Sequence, residues 1–233
     1  MSPSAVLSQP AFILQQRPYR ESSVLLDVFT FDYGIISILA KGVRKEKSKT
    51  AGLLLPFSLL SVSYLDRNEL KILTHVEYAQ SYPLQKLGLY CGFYLNELLQ
   101  RFLYRHDPHP QLFVNYQCCL QSLLYEENIE QCLRYFELDI LTEAGYALQL
   151  DVDGRGEEIV VHRRYAFMLG MGLVPDNQGY VCGETLHVLN AGAALQGDAL
   201  MQAKYLLRSI LDEYLQGRPL KSRDVLAKMI KYL

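Results

Sequence analysis

The chain has 233 residues, half of them apolar, and a formal net charge of −2, so it can bury one large core or several small ones. It has no uncharged apolar run of about 18 residues, and its start, MSPSAVLSQPAF, lacks the basic and apolar regions of a signal peptide. The five cysteines are odd in number and irregularly spaced, which argues against a disulfide framework. We therefore expect a soluble, cytoplasmic protein with reduced thiols and no membrane span.

Short apolar runs rich in Val, Ile, Leu, Phe and Tyr alternate with turn signals between Ala11 and Tyr82. Runs of this kind predict strands, and the segments concerned are 12–16, 23–30, 35–41, 58–65 and 70–81. Five short strands in so few residues fit a small barrel, closed or partly open. The strand count alone does not separate an OB-fold from other small barrels.

The third predicted strand runs into a strongly basic segment, residues 41–49, with the sequence KGVRKEKSK. Five Lys or Arg against one Glu give this segment a charge of +4 in a protein whose total is −2. Such cations suit a nucleic-acid backbone, because each neutralised phosphate releases counterions and adds sequence-independent affinity. A solvated loop explains the same charges. The predicted backbone contacts are Lys41, Arg44, Lys45, Lys47 and Lys49, extended by Arg17 and Arg20.

Two tyrosines, Tyr19 and Tyr33, lie near these cations in the sequence. Their rings offer a stacking surface for any base, because every base has a π face. Packing against the barrel is the alternative for each ring.

The apolar spacing becomes helical after Pro83. Helices are predicted over 84–103, 110–125, 129–144, 199–215 and 223–230, with Asp198 and Ser222 as N-caps of the last two. Residues 81–150 contain 4 Lys or Arg and 8 Asp or Glu, so this part of the chain is a poor DNA surface. The pattern indicates a helical bundle assembled from both sides of an insertion, residues 150–189.

Several segments, in order and spacing, resemble the RecO family of bacterial recombination mediators and DNA-annealing proteins. The segments are RPYRESSVLLDVFT, a glycine turn at Gly34, LAKGVRK, LLPF, YCGFYLNELL, LRYFELDILTEAGY and GRPLKSR. The resemblance implies an α+β protein that begins with a five-stranded OB-fold barrel followed by an α-helical domain. It further implies DNA repair through a RecF-type pathway, binding of single- and double-stranded DNA, and annealing of complementary strands.

The same resemblance gives the predicted domains: an OB-fold at 1–82, a helical domain at 83–149 and 190–233, and an inserted module at 150–189. Many RecO proteins hold a structural zinc in this module with two CxxC pairs, which supply four thiolates. Here only Cys182 is present, and Thr185 stands where its partner would be. We expect a zinc-finger-like module without the zinc ligands, held by the apolar packing of Tyr165, Phe167, Leu173 and Tyr180. His106 and His109 in HDPH form no convincing metal site either, because a third partner is missing.

The family likeness also implies protein partners. RecO-like proteins engage the acidic C-terminal tail of single-strand binding protein and act with RecR to help load RecA. An acidic tail that ends in an apolar residue needs an apolar groove with a cation at its rim. The candidates are Arg134 with the apolar residues Leu133, Phe136, Ile140 and Leu141. An intramolecular ion pair of Arg134 with Glu130, Glu137 or Asp139 is the alternative.

A second basic cluster lies near the C-terminal end, in GRPLKSRDVLAKMIKYL. Lys221 and Arg223 are its candidate DNA contacts, although a solvated helix face explains the same pattern. The sequence contains no GxxxxGK[ST], GxGxxG, GxSxG or HExxH motif. We predict a nucleoid-associated DNA-binding protein that is not an enzyme and uses no cofactor or metal. A small cytoplasmic enzyme with an unrecognised active site is the competing class.

Overall fold

The computed structural model describes residues 4–46, 48–66 and 70–229. These residues form two compact units, Met1–Tyr125 and Glu126–Leu233. The strands of the first unit are β1 (Ser4–Tyr19), β2 (Ser23–Thr30), β3 (Gly34–Ala40), β4 (Ser58–Asp66) and β5 (Leu70–Ser81), followed by α1 (Lys86–Phe102) and α2 (Pro110–Leu124). The second unit contains α3 (Ile129–Glu143), β6 (Arg164–Met168), β7 (Gly172–Pro175), β8 (Val181–Cys182), α4 (Gly183–Asn190), α5 (Gly197–Tyr214) and α6 (Lys221–Met229).

The five N-terminal strands close into a barrel in the order β1-β2-β3-β5-β4. All neighbours are antiparallel except β3 and β5, which pair in parallel from Ser37 with Leu70 to Leu39 with Ile72. Side chains alternate along β2, so that Leu26 and Val28 point into the barrel core while Asp27 lies on the outer face of the strand. The expected five-stranded barrel, followed by helices, is confirmed.

β1 is longer than the sequence indicates, because it starts at Ser4 rather than Phe12. It pairs with β4 on one side and β2 on the other, and the register shifts between Val6 and Gln9 and again between Ile13 and Gln15. Ser8 has a positive φ of 51°, and its N–H donates to Ser63 Oγ at 3.0 Å. These irregularities bend the strand and interrupt the alternation of side chains from which a strand is recognised.

α1 and α2 pack on the outer surface of the barrel. The rings of Phe12 and Phe113 have centroids 5.1 Å apart, and those of Phe12 and Tyr116 lie edge to face at 5.0 Å. Asn96 of α1 donates to Leu14 O at 3.1 Å, and Tyr116 donates to Asn96 Oδ1 at 2.5 Å. Both helices therefore belong to the same unit as the barrel. The domain division predicted from the sequence, with a helical domain from residue 83, stays a prediction.

In the second unit, a three-stranded antiparallel sheet of order β7-β6-β8 occupies the predicted inserted module. Tyr165 and Leu173 are buried, whereas Phe167 and Tyr180 are half-buried. Cys182 ends β8, with its Sγ 3.3 Å from Thr185 Oγ1. The described residues contain no cluster of three or more side chains able to hold a metal ion. The zinc-free character of the module stays a prediction.

Across the described ranges, no helix combines the length and the apolar character needed to cross a bilayer.

Candidate nucleic-acid interface

The basic segment leaves the barrel at the end of β3 and is fixed there by its own residues. Gly42 has a positive φ of 71°, and Val43 is buried in the barrel core. The Arg44 N–H donates to Ser22 O at 2.9 Å, which ties the segment to the turn between β1 and β2. Lys41, Arg44, Lys45 and Lys49 are exposed, as backbone contacts would have to be. Lys47 lies outside the described residues.

The turn between β1 and β2 brings Arg20 to the same surface. The guanidinium of Arg44 donates to Arg20 O at 3.2 Å. Arg20 itself lies over the ring of Tyr19, with 5.3 Å between its Cζ and the ring centroid, a distance typical of a cation–π contact. The structure thus brings Arg20 together with Lys41, Arg44 and Lys45, which the sequence predicts to contact one nucleic-acid backbone.

An open groove runs between this turn and the basic segment. Its lining residues are Tyr19, Arg20, Glu21, Ser22, Ser23, Leu39, Lys41, Gly42 and Lys45. The groove offers cations, hydroxyl groups and one aromatic ring to a nucleic-acid strand. We name this surface, together with Arg44, the barrel track.

Of the two tyrosines, only Tyr19 lies in the groove. Tyr33 precedes β3, whereas Lys41 follows it, so the full length of a strand separates Tyr33 from the basic segment. The ring of Tyr33 packs edge to face on Tyr64 with centroids 6.2 Å apart, as the barrel-packing alternative describes.

Arg17 lies on the outer face of β1, two residues before Tyr19. Its Nη2 is 2.9 Å from Oδ2 of Asp27, and about half of its side chain, 53%, is exposed. Asp27 is itself buried.

Arg105, which the sequence reasoning did not select, reaches the same carboxylate from the loop between α1 and α2. Its Nη2 is 2.9 Å from Asp27 Oδ1, and its Nη1 donates to Ser37 Oγ at 2.6 Å. The loop is held because His106 N–H donates to Ile35 O at 3.1 Å, and because it crosses Gly34 closely. A Cβ at Gly34 would lie 2.0 Å from Asp107 O, so only glycine fits. In the sequence, the glycine at position 34 could indicate a close backbone contact, but it does not indicate which segment makes that contact.

The second predicted basic cluster belongs to the other unit, on α6. Lys221 is exposed, while Arg223 is ion-paired with Asp212 and its side chain is only 16% exposed. A groove beside it is lined by Arg208, Arg218 and Arg223 together with Leu215 and Leu220. A DNA contact at Lys221 and Arg223 stays a prediction.

The predicted partner-binding face on α3 is buried. Leu133, Phe136, Ile140 and Leu141 are all core residues of the second unit. Arg134 donates to both carboxylate oxygens of Glu137, at 2.8 and 2.5 Å, and the two side chains are only 7% and 1% exposed. The intramolecular ion pair considered from the sequence is therefore present, and the face is not the open groove that the receptor hypothesis describes. A peptide would have to displace Glu137 to reach Arg134.

The two histidines of HDPH lie in the loop between α1 and α2. His106 is exposed with a positive φ of 63°, and His109 Nε2 lies 3.5 Å from Asp107 Oδ2.

Among the described residues, the clearly shifted pKa values belong to tyrosines. Burial raises the pKa of Tyr64, Tyr82, Tyr116 and Tyr135, and in each case loss of hydration is the largest cause. None of these tyrosines lines the grooves described above. Phenols that stay neutral inside a core serve packing and hydrogen bonding, as Tyr116 does with Asn96.

Comparison with known proteins identifies the family. The family model described as recombination protein O N terminal matches residues 1–82, and the one described as recombination protein O C terminal matches residues 87–224. A protein named DNA repair protein RecO from Methylococcus capsulatus is 43% identical over 227 residues, covering 96% of this chain and 94% of the relative. A protein of the same name from Nitrosococcus oceani is 42% identical over 231 residues, with coverage of 96% and 94%. Another, from Paraburkholderia xenovorans, is 36% identical over 228 residues, with coverage of 95% and 76%. With both halves matched and these identities along most of its length, the chain belongs to the RecO family.

Proposed function

We propose that this protein acts in DNA repair as a recombination mediator that binds DNA on the barrel track. The observation that carries the proposal is the convergence of Arg20, Lys41, Arg44 and Lys45 around one open groove. These side chains come from two loops, yet a backbone hydrogen bond from Arg44 to Ser22 holds the loops together. The relatives named DNA repair protein RecO support the same role.

Binding on this surface is electrostatic and independent of base sequence. Each cation that neutralises a phosphate releases condensed counterions, which favours association most at low salt. The hydroxyl groups of Ser22 and Ser23 supply further donors to phosphate oxygens. Tyr19 adds an aromatic edge, and Arg20 over its ring holds it in place. Both single- and double-stranded DNA present the phosphates that such a surface requires.

Annealing follows if the protein holds two strands at once. Phosphate backbones repel each other, and cations placed between them screen the repulsion. We propose Lys221 and Arg223 of the second unit, with Lys49 and Arg17 of the first, as additional backbone contacts. For Arg223 this requires that the ion pair with Asp212 open.

Partner proteins complete the proposed role. From the family likeness we propose that the protein engages the acidic tail of single-strand binding protein, acts with RecR, and so helps to load RecA. Arg134 and its apolar neighbours stay the candidate tail receptor only in a state in which Arg134 has released Glu137. We propose no catalytic step, no cofactor and no resident metal.

Fluorescence anisotropy with a labelled single-stranded oligonucleotide, titrated at several salt concentrations, tests DNA binding. In the variant Arg44→Ala/Lys45→Ala we expect affinity for all sequences to fall, and the slope of log K against log salt to decrease by roughly 1.4 to 1.8 for two lost phosphate contacts. The matched control is Lys86→Ala/Arg101→Ala, which removes the same charge from exposed positions on α1. If the two variants had the same DNA affinity and the same salt slope, the proposal would be contradicted.

A further inference from the structure

Asp27 is an acidic residue in the middle of the outer face of the barrel, and both of its oxygens are used. Oδ2 accepts from Arg17, while Oδ1 accepts from Arg105 and from Ser37 Oγ, the last at 2.7 Å. The Asp27 side chain is only 3% exposed, whereas those of Arg17 and Arg105 are 53% and 50% exposed. The carboxylate is thus hidden under two arginines that face solvent.

The cluster has cationic character left after the pairing. One carboxylate against two guanidinium groups leaves a net charge of about +1. A guanidinium has five N–H donors, of which Arg17 uses one here and Arg105 two. The remaining N–H groups at these half-exposed positions can donate to an anion, and the planar fork of the guanidinium matches the oxygens of a phosphate.

The position of the cluster continues the barrel track. Arg17 lies opposite Leu25, which lies opposite Leu39. Leu39 and Tyr19 both line the groove, and Tyr19 follows Arg17 by two residues on the same face of β1. A nucleic-acid strand that leaves the groove along β1 therefore reaches Arg17 next.

The two arginines are also held before any ligand arrives. Arg105 is fixed by Ser37 and by the loop that crosses Gly34, and Arg17 is fixed by Asp27. Side chains already ordered lose less conformational entropy on binding, which favours affinity.

We propose that Arg17 and Arg105, positioned by Asp27, form a two-arginine clamp for a backbone phosphate of nucleic acid. This proposal rests on the proposed function and adds two residues to it, Arg105 as a binding residue and Asp27 as a positioning residue. The competing explanation is a purely structural role, in which Arg105 serves only to attach the α1–α2 loop to the barrel.

The first test compares Arg105→Ala with Arg101→Ala, which removes one positive charge from α1 nearby in sequence. We expect Arg105→Ala to bind a labelled oligonucleotide roughly three- to tenfold more weakly and to lower the salt slope by about 0.7 to 0.9, the share of one phosphate. Arg101→Ala should match the wild type closely. Arg105→Lys keeps the charge but not the two-pronged geometry, so we expect an intermediate affinity.

Asp27→Asn separates positioning from charge, because the two effects have opposite signs. Removing a negative charge strengthens DNA binding if charge alone matters. If Asp27 positions the arginines, binding weakens instead, and we expect a loss of roughly threefold or more. Thermal melting of every variant reports whether the fold is kept. Should Asp27→Asn not fold, the Arg105 variants alone decide.

The clamp is refuted if Arg105→Ala and Arg101→Ala bind DNA with the same affinity and salt slope. In that event a loss of binding in Arg44→Ala/Lys45→Ala would still support the proposed function. If Arg44→Ala/Lys45→Ala also bound DNA as tightly as its control, the clamp and the proposed function would both be overturned.

Discussion

Two arginine–carboxylate clusters in this protein use the same chemistry in opposite ways. On the barrel, Asp27 is hidden and its partners Arg17 and Arg105 are half exposed. On α3, both members of the Arg134–Glu137 pair are buried among core residues of the second unit. In the first cluster the arginines are exposed to solvent, whereas in the second the arginine is buried and ion-paired within its own helix. Whether a basic residue can meet a partner thus depends on the burial of its guanidinium, which its sequence neighbours do not reveal.

The largest expected effect comes from the buried pair. Arg134→Ala leaves the Glu137 carboxylate in the core without its arginine, and removing one member of such a pair costs about 3–5 kcal/mol of folding free energy. Urea denaturation measures the loss. The control is Lys204→Ala, which breaks an exposed pair with Glu130 and should cost less than about 1 kcal/mol.

Replacing both members by leucine, Arg134→Leu/Glu137→Leu, should recover most of this stability, because apolar groups of similar volume fit a core. An Arg134→Ala protein of normal stability would contradict the structural role of the ion pair. If that stable protein had also lost affinity for an acidic tail peptide, the result would support Arg134 as the tail receptor.

The next largest effect concerns the loop that carries Arg105. Gly34→Ala places a Cβ 2.0 Å from Asp107 O at a residue with φ of +63°, so the loop must move. We expect a loss of about 2 kcal/mol or more in thermal unfolding, and weaker DNA binding as Arg105 is displaced. Gly52→Ala is the control, since a Cβ there meets nothing within 4 Å. If Gly34→Ala and Gly52→Ala had the same melting temperature, the close approach of the loop to Gly34 would be contradicted.

The smallest expected effect is that of a chelator. Cys182 is the only cysteine of the segment 150–189, and its Sγ lies beside Thr185 Oγ1. Purified protein should contain well under one zinc per chain by elemental analysis, and EDTA should leave the melting temperature unchanged. Stoichiometric zinc would overturn the reading of the module as zinc-free.

The strands were largely predictable, because alternation and turn residues are local signals. β2 and β5 have the predicted bounds, 23–30 and 70–81. The true start of β1 was not predictable, because a register shift in its first part interrupts the alternation of side chains. The two predicted N-caps are wrong: α5 begins at Gly197 after Gln196, and α6 begins at Lys221, ahead of Ser222. No side-chain hydrogen bond caps α5, whose N-cap residue is Gln196.

The site was predictable only in part. Lys41, Arg44, Lys45 and Arg20 are close in sequence to the strands that hold them, and they meet at one groove. Arg105 comes from a part of the chain that is acidic overall, and tertiary packing alone brings it to Asp27. The apolar pattern of α3 predicts a partner-binding groove as readily as a buried face, because the same pattern serves a helix that packs on its own unit and one that packs on a partner.

The most direct test of DNA binding on the barrel is photo-crosslinking of bromouracil-substituted single-stranded DNA, with the attached peptides mapped by mass spectrometry. We predict that crosslinked peptides fall within residues 17–49, with Tyr19 in the groove as a principal site, and that they disappear at high salt. Crosslinks confined to residues 126–229, with none on the barrel, would contradict the account.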